Sequence, residues 1–303
     1  MDQSLAGRPL TLSRNNPRLI LGLILIASWW ILAWGDFGAI SHYYFFPLWL
    51  GFILTVDGLV QNRTGTSPLN RLGWRYLFVF VVSAPFWWLF ELLNHTLTNW
   101  SYLTPWDYGF IGRTIIGSFS FSIVIPAVLT TAELISSYLG NQRSTFRHSF
   151  SRTSVIAIHV LGWVMLLAML RWPEYLFAFC WLSVFFIVDP LARAAGATTV
   201  STLVERGSLR PVYSLALAGL VCGWFWEMWN FLAMPKWVYS VPHVGFLKIW
   251  EMPVLGYGGY IPFSFEISAF YVLVAALIPW MRPPPVSGSG CSSQIDPDDG
   301  RFL

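Results

Sequence analysis

Two short runs each put a carboxyl, a carboxamide and an indole on one face of a helix. The first is Trp88-Leu89-Phe90-Glu91-Leu92-Leu93-Asn94, and the second is Trp224-Phe225-Trp226-Glu227-Met228-Trp229-Asn230. They lie 136 positions apart, from 88 to 224. In each, Glu and Asn are spaced i, i+3, so they share a face one turn apart, with the Trp a turn earlier. Both runs are otherwise apolar. A carboxylate within a membrane helix costs a few kcal/mol and persists only if it is paired, protonated or in a wet cavity. The chemistry this pattern offers is proton transfer to or from an apolar substrate, or proton handling in transport. The plainer alternative is a Glu–Asn hydrogen bond between helices, holding the protein together.

Further acids lie nearby in sequence. Glu251 sits in Trp250-Glu251-Met252-Pro253, and Glu266 in Pro262-Phe263-Ser264-Phe265-Glu266. Neither has an acidic counterpart at the same offset, so unequal halves would mark the reacting side. A protonated carboxyl in hydrocarbon is what a general acid requires. A carboxyl bonded to backbone freed by Pro262 is the structural alternative. Glu91, Glu227, Glu251 and Glu266 are therefore the candidate catalytic groups. Asp57 and Asp189 form a third acidic pair, 132 positions apart, and read as ties to Arg63, Arg193 or a neighbouring helix end. The histidines His42, His95, His148, His159 and His243 have no metal-ligand spacing, so no metal or other cofactor is expected. Three scattered cysteines form neither a disulfide framework nor a zinc site.

Aromatic residues supply the walls. They make up 18% of the chain and include 18 Trp, more than interfacial belts alone would use. Trp88, Asn94, Trp100, Tyr102, Trp224, Asn230, Trp237 and Tyr239 are the candidate substrate-binding residues, with Trp87 and Trp226 beside them. A Trp-lined, apolar site with a protonated carboxyl would suit protonation of an alkene and shelter of the resulting carbocation. Isoprenoid substrates, which dissolve in the bilayer, fit that chemistry.

The elements that must carry these residues are membrane helices. Hydrophobic residues make up 55% of the chain and charged residues 11%, against about 25% charge in soluble domains. Apolar blocks approach the ~20 residues needed to cross a bilayer. Eight spans are expected, near 19–34, 43–60, 76–93, 114–139, 154–170, 175–191, 212–233 and 254–280. The first reads as a retained span rather than a removed signal peptide. A net charge of +3 without a basic run gives no reason to expect nucleic acid. The expected partners are membrane lipid and a lipophilic small molecule, and nothing points to an oligomeric state.

Of the 18 Lys and Arg, the N-terminal arm, the connections after spans 2, 4 and 6, and the tail hold 14. Positive-inside bias then places both termini in the cytoplasm, in the cell inner membrane. The repeated motifs imply two tandem four-helix units, 19–142 and 154–281, flanked by a cytoplasmic arm at 1–18 and a disordered tail at 282–303. Units of even span number must share one orientation, with the pseudo-axis along the membrane normal. The segments 95–112 and 231–253, rich in Trp, Tyr, Pro and Gly, suit interfacial or re-entrant lids. The favoured site lies between the units, in the outer half of the bilayer.

Trp237-Val238-Tyr239, Gly245-Phe246, Glu251-Met252-Pro253 and Pro262-Phe263-Ser264-Phe265-Glu266 carry a resemblance to a known family, as do Trp100-Ser101-Tyr102, Gly109-Phe110 and Pro126. This pattern resembles the duplicated integral-membrane lycopene cyclase domains of carotenoid synthesis and, distantly, the related carotenoid hydratase type. The resemblance covers two stretches of about 30 residues. It implies a duplicated membrane fold and an isoprenoid substrate. The adjacent Glu-Glu of the cyclase pattern is absent: Val254-Leu255 follow Pro253, and Glu266 stands alone after Pro262.

The sequence thus describes an all-α polytopic transmembrane bundle. Its leading functional reading is an enzyme acting on a lipophilic isoprenoid or lipid by carboxylate acid–base chemistry. The alternatives are a transporter or channel-like protein for a small solute or protons, and a non-catalytic membrane scaffold. An enzyme predicts an aromatic cavity open to lipid and unequal halves. A transporter predicts a polar path to both faces, and a scaffold predicts Glu–Asn bonds with no cavity.

Overall fold

The computed structural model describes residues 16–140, 142–144, 149–281 and 300–303. Twelve helices account for most of them. The long ones are α1 (Pro17–Gly35), α2 (Phe45–Thr64), α4 (Tyr76–Leu97), α5 (Gly109–Phe121), α6 (Val124–Ser136), α7 (Arg152–Arg171), α9 (Cys180–Ala194), α11 (Arg210–Phe231) and α12 (Tyr260–Leu277). The short ones are α3 (Pro68–Leu72), α8 (Pro173–Leu176) and α10 (Val200–Glu205). Among the described residues, seven helical segments are long and apolar enough to cross a membrane. They are Pro17–Gly35, Phe45–Thr64, Pro68–Leu97, Gly109–Ser136, Arg152–Arg171, Pro173–Ala194 and Val254–Leu277. The chain is therefore an all-α membrane bundle. At 22 residues α11 has the length but is not among the seven. Arg210, Glu227, Asn230 and several small residues lower its apolarity.

Local chemistry sets the helix boundaries. Asn16 caps α1, its Oδ1 accepting from the backbone N–H of Arg18 and Leu19, and Pro17 occupies the first turn. Gly65 ends α2 in the left-handed conformation at φ 83°. The span expected as continuous over 114–139 is broken between α5 and α6. Pro126 has no N–H, so the helix cannot continue its ladder through that turn. Ser83, on α4, fills the gap: its Oγ donates to the Phe121 carbonyl at 2.7 Å and accepts from the Ile125 N–H at 3.0 Å. Bonds of this kind let a broken helix persist in hydrocarbon.

Small residues set the closest helix pairs. A Cβ at Gly22 would stand 2.7 Å from the Gly51 carbonyl oxygen, so α1 and α2 touch backbone to backbone. Gly162 on α7 meets α9 the same way, 2.9 Å from the Ser183 carbonyl oxygen. The α2, α4, α6, α11 and α12 helices enclose the core, while the outer faces of α1 and α7 carry exposed Ile, Leu and Val.

The two buried aspartates hold helix starts. Asp57 accepts from the Leu69 N–H at 2.9 Å and the Ser67 hydroxyl at 2.8 Å, and pairs with Arg18 at 3.1 Å. Asp189 accepts from the Ser201 N–H at 3.4 Å. These are the first turns of α3 and α10, where backbone donors lack helical partners. The arginines expected as partners are engaged elsewhere: Arg63 donates to the Ser137 carbonyl, and Arg193 pairs with Glu205.

Two features depart from the sequence expectation. The segments expected as lids contain β1 (Trp100–Leu103) and β2 (Lys236–Tyr239), which pair antiparallel with Trp100 opposite Tyr239 and Tyr102 opposite Trp237. A second small ribbon joins β3 (Lys248–Ile249) to β4 (Met252–Pro253). The expected tail disorder at 282–299 lies outside the described residues, but Phe302 and Leu303 are buried. Their N–H groups donate to Glu133 Oε1 at 2.9 and 3.0 Å, and Arg71 bonds both Glu133 and the Leu303 carbonyl. A buried carboxylate with unfilled acceptor sites holds that segment against the bundle.

Candidate functional site

The spacing Glu91–Asn94 divides two tasks between adjacent turns of α4. Asn94, at the end of the helix, accepts from the N–H groups of Asn99 and Trp100 at 2.9 and 3.3 Å, and donates to the Trp100 carbonyl at 2.8 Å. It thereby fixes where β1 begins. Asn230 does the same for β2, accepting from the Trp237 N–H at 2.9 Å and donating to its carbonyl at 2.8 Å. With each strand so placed, its tyrosine reaches back to the carboxyl one turn earlier. Tyr102 donates to Glu91 Oε1 at 2.6 Å, and Tyr239 donates to Glu227 Oε1 at 2.7 Å. Neither Glu bonds an Asn, so the Glu–Asn tie weighed from the sequence is not present among the described residues.

The two carboxyls then diverge. Glu91 Oε1 also accepts from the indoles of Trp87 at 2.8 Å and Trp100 at 3.2 Å. Glu227 instead receives the Tyr260 hydroxyl at 2.5 Å, and the Trp237 indole donates to the Tyr239 oxygen at 2.9 Å. Glu227 is 0% exposed, and its Oε2 has no hydrogen-bond partner among the described residues. Burial and the facing Glu227 carboxylate hold the Tyr239 phenol well above its usual value, so it stays a donor.

A cavity of about 1180 Å³ lies against this ribbon. Glu91, Trp88, Trp100, Tyr102, Trp237 and Tyr239 line it, together with Trp87, Trp181, Trp226, Tyr260 and Phe263. Glu227 does not reach it and sits behind Tyr239 and Tyr260. Phe110, Ile115 and Phe119 on α5 line the cavity and are exposed.

 The three exposures are 79% for Phe110, 53% for Ile115 and 59% for Phe119, so the cavity opens through apolar side chains on the outside of the bundle. In a bilayer such an opening faces acyl chains.

The remaining candidates lie elsewhere. Trp224 was expected as a wall, but it faces away from the cavity, 44% exposed and packed on Trp250 and Tyr257. It precedes Glu227 by three residues, and the turn of α11 that buries Glu227 carries Trp224 to the outer surface. Glu251 is not in the wall either: it is ion-paired with Lys236, which does line the cavity. Glu266 is fully buried one turn beyond Phe263 and makes no hydrogen bond among the described residues. Sequence reasoning missed Tyr260, the shortest contact to Glu227. Its signal was Gly223, one turn before Glu227 on α11, which leaves room for the Tyr260 ring. It also missed Arg113, which lines the cavity and pairs with Asp107 at 3.1 Å. No cluster of three potential metal ligands occurs among the described residues.

Compared with protein-family models, curated proteins and solved structures, the chain matches none.

Proposed function

We propose that this chain is an integral membrane enzyme acting on a lipophilic isoprenoid or other lipid by carboxylate acid–base chemistry, with Glu91 as the group that meets the substrate. The observation that carries this reading is an aromatic cavity of about 1180 Å³ with Glu91 in its wall and an apolar opening. An alkene bound there would take a proton from the Glu91 carboxyl, and the surrounding rings would stabilise the cation by roughly 0.5–2 kcal/mol per well-placed face. The unequal settings of Glu91 and Glu227 favour an enzyme over symmetric transport. Beyond the α5–α6 break, Ile123, Val124, Ile125 and Leu129 are fully buried, which gives no support to a polar path between the faces. The cavity and the lack of Glu–Asn bonds count against a scaffold.

The same reading takes α11 as an eighth span and the chain as two tandem four-helix units of like orientation, with both termini cytoplasmic and the protein in the cell inner membrane. Its support is the recurrence of bonds: Asn to strand, tyrosine to glutamate, and an aspartate to a backbone N–H twelve residues on. The likeness to lycopene cyclase-type domains belongs to this proposal and is the basis for naming isoprenoids.

Lipid extracts test it. A strain lacking the chain should accumulate a lipophilic precursor, and a strain carrying only Glu91→Gln should accumulate the same compound with normal protein in the membrane. Full restoration of the lipid profile by Glu91→Gln would overturn the enzymatic reading.

A further inference from the structure

We propose that the Glu91 cavity selects ligands that carry positive charge on an apolar body, such as a lipophilic ammonium or phosphonium ion. The inference deepens the reading of this cavity as the substrate site and rests on it: once Glu91 has given its proton to an alkene, a carboxylate faces a carbocation, and a lipophilic cation imitates that state.

The charges around the cavity do not balance. Two bases reach its wall, and each already has an acid: Arg113 has Asp107 at 3.1 Å, and Lys236 has Glu251. His42 also lines the wall, but its Nδ1 accepts from the Trp106 indole at 2.6 Å. Glu91 is left over. Its hydrogen bonds come from Trp87, Trp100 and Tyr102, which are neutral donors. Glu227, the next carboxyl inward, is likewise bonded only to hydroxyls. Neutral donors solvate a carboxylate without cancelling its charge, and an uncompensated charge away from water is costly.

A bound cation supplies what the wall lacks, and the rings add to it. A π system attracts a cation at its face, most strongly when the cation is soft and poorly hydrated. An anionic ligand would meet Glu91 with both bases occupied, and a neutral one would meet it only as the protonated acid, without an ion pair. The apolar opening past Phe110 and Phe119 admits such an ion only if its charge is dispersed or carried on a hydrocarbon body.

Equilibrium dialysis of the full chain in neutral maltoside micelles tests this with labelled tetraphenylphosphonium, competed by its uncharged isostere tetraphenylmethane. One saturable site per chain is expected, with the neutral isostere competing about tenfold less well or weaker. Glu91→Gln should weaken phosphonium binding about tenfold, Ile116→Trp should abolish it by filling the cavity, and Glu174→Gln, on the exposed surface, should leave it unchanged. Equal competition by the two compounds would overturn the proposal with wild-type protein alone. So would phosphonium binding unaltered by Glu91→Gln. If Glu91→Gln cells accumulate precursor while the wild-type chain ignores the charge, the enzymatic reading stands and this one falls. The converse result retains the cation site and removes the enzyme.

Discussion

Gly223 lies against the Tyr260 ring so closely that a Cβ there would stand 2.3 Å from Tyr260 Cδ2. Tyr260 reaches Glu227 because that position has no side chain. Gly223→Ala is expected to push the ring away and break the 2.5 Å bond to Glu227. Overpacking of this kind costs about 1–3 kcal/mol. Thermal denaturation in detergent should show a lower midpoint than for Tyr260→Phe, which removes the hydroxyl but not the packing.

Asn230 is fully buried and holds both backbone groups of Trp237. Asn230→Ala would leave that N–H and carbonyl without partners, at a cost of about 1–3 kcal/mol each where water cannot reach. Asn94→Ala, at a half-buried position, should cost less. Comparing the two denaturation midpoints checks the order.

Ser83→Ala is expected to destabilise the α5–α6 break, because one hydroxyl serves both freed backbone groups there. A loss of about 1–3 kcal/mol should appear in denaturant titration. Restoring an N–H with Pro126→Ala in the same chain should recover part of it.

Arg71 and Glu133 form a buried pair at 2.5 Å. Removing one partner leaves a lone buried charge and costs about 3–5 kcal/mol, whereas replacing both by apolar residues can be close to neutral. The double variant Arg71→Met with Glu133→Leu should therefore be more stable than Arg71→Met alone. Glu133→Leu should also make a protease site introduced after Gly300 more accessible, since the N–H groups of Phe302 and Leu303 lose their acceptor.

Orientation has a direct readout. Ser240 follows β2 and Ala195 follows α9, and both are exposed. In a Cys291→Ser background, an impermeant maleimide added to intact cells should label Ser240→Cys and not Ala195→Cys. Cys180 and Cys222 are buried and should stay silent.

The helices were readable because burial in hydrocarbon leaves a composition signal, and α1, α2, α4 and α7 begin and end within a few residues of their expected bounds. The motif residues were readable as a set, since Glu91 and Asn94 share a face by spacing alone. What each one bonds was not readable. Both asparagines turn to strand backbone, and strands of four residues leave almost no pattern in a loop already crowded with Trp and Tyr. The pairing of β1 with β2 joins residues more than a hundred positions apart, which no local periodicity encodes. Trp224 shows the limit of spacing arguments. It is a turn from Glu227 yet faces outward, because the burial of α11 is decided by α6 and α12 and not by its own sequence.

The ribbon carries one more implication. Trp100 lies opposite Tyr239, and Tyr102 opposite Trp237, so each strand finds its ladder mate in the other half of the chain. A fragment ending near residue 142 would expose a bare strand edge beside Glu91, and such an edge seeks a mate. Its simplest mate is a second copy of the fragment. On the proposed two-unit architecture the single chain would correspond to a fused dimer, with the covalent link freeing each carboxyl to acquire different neighbours.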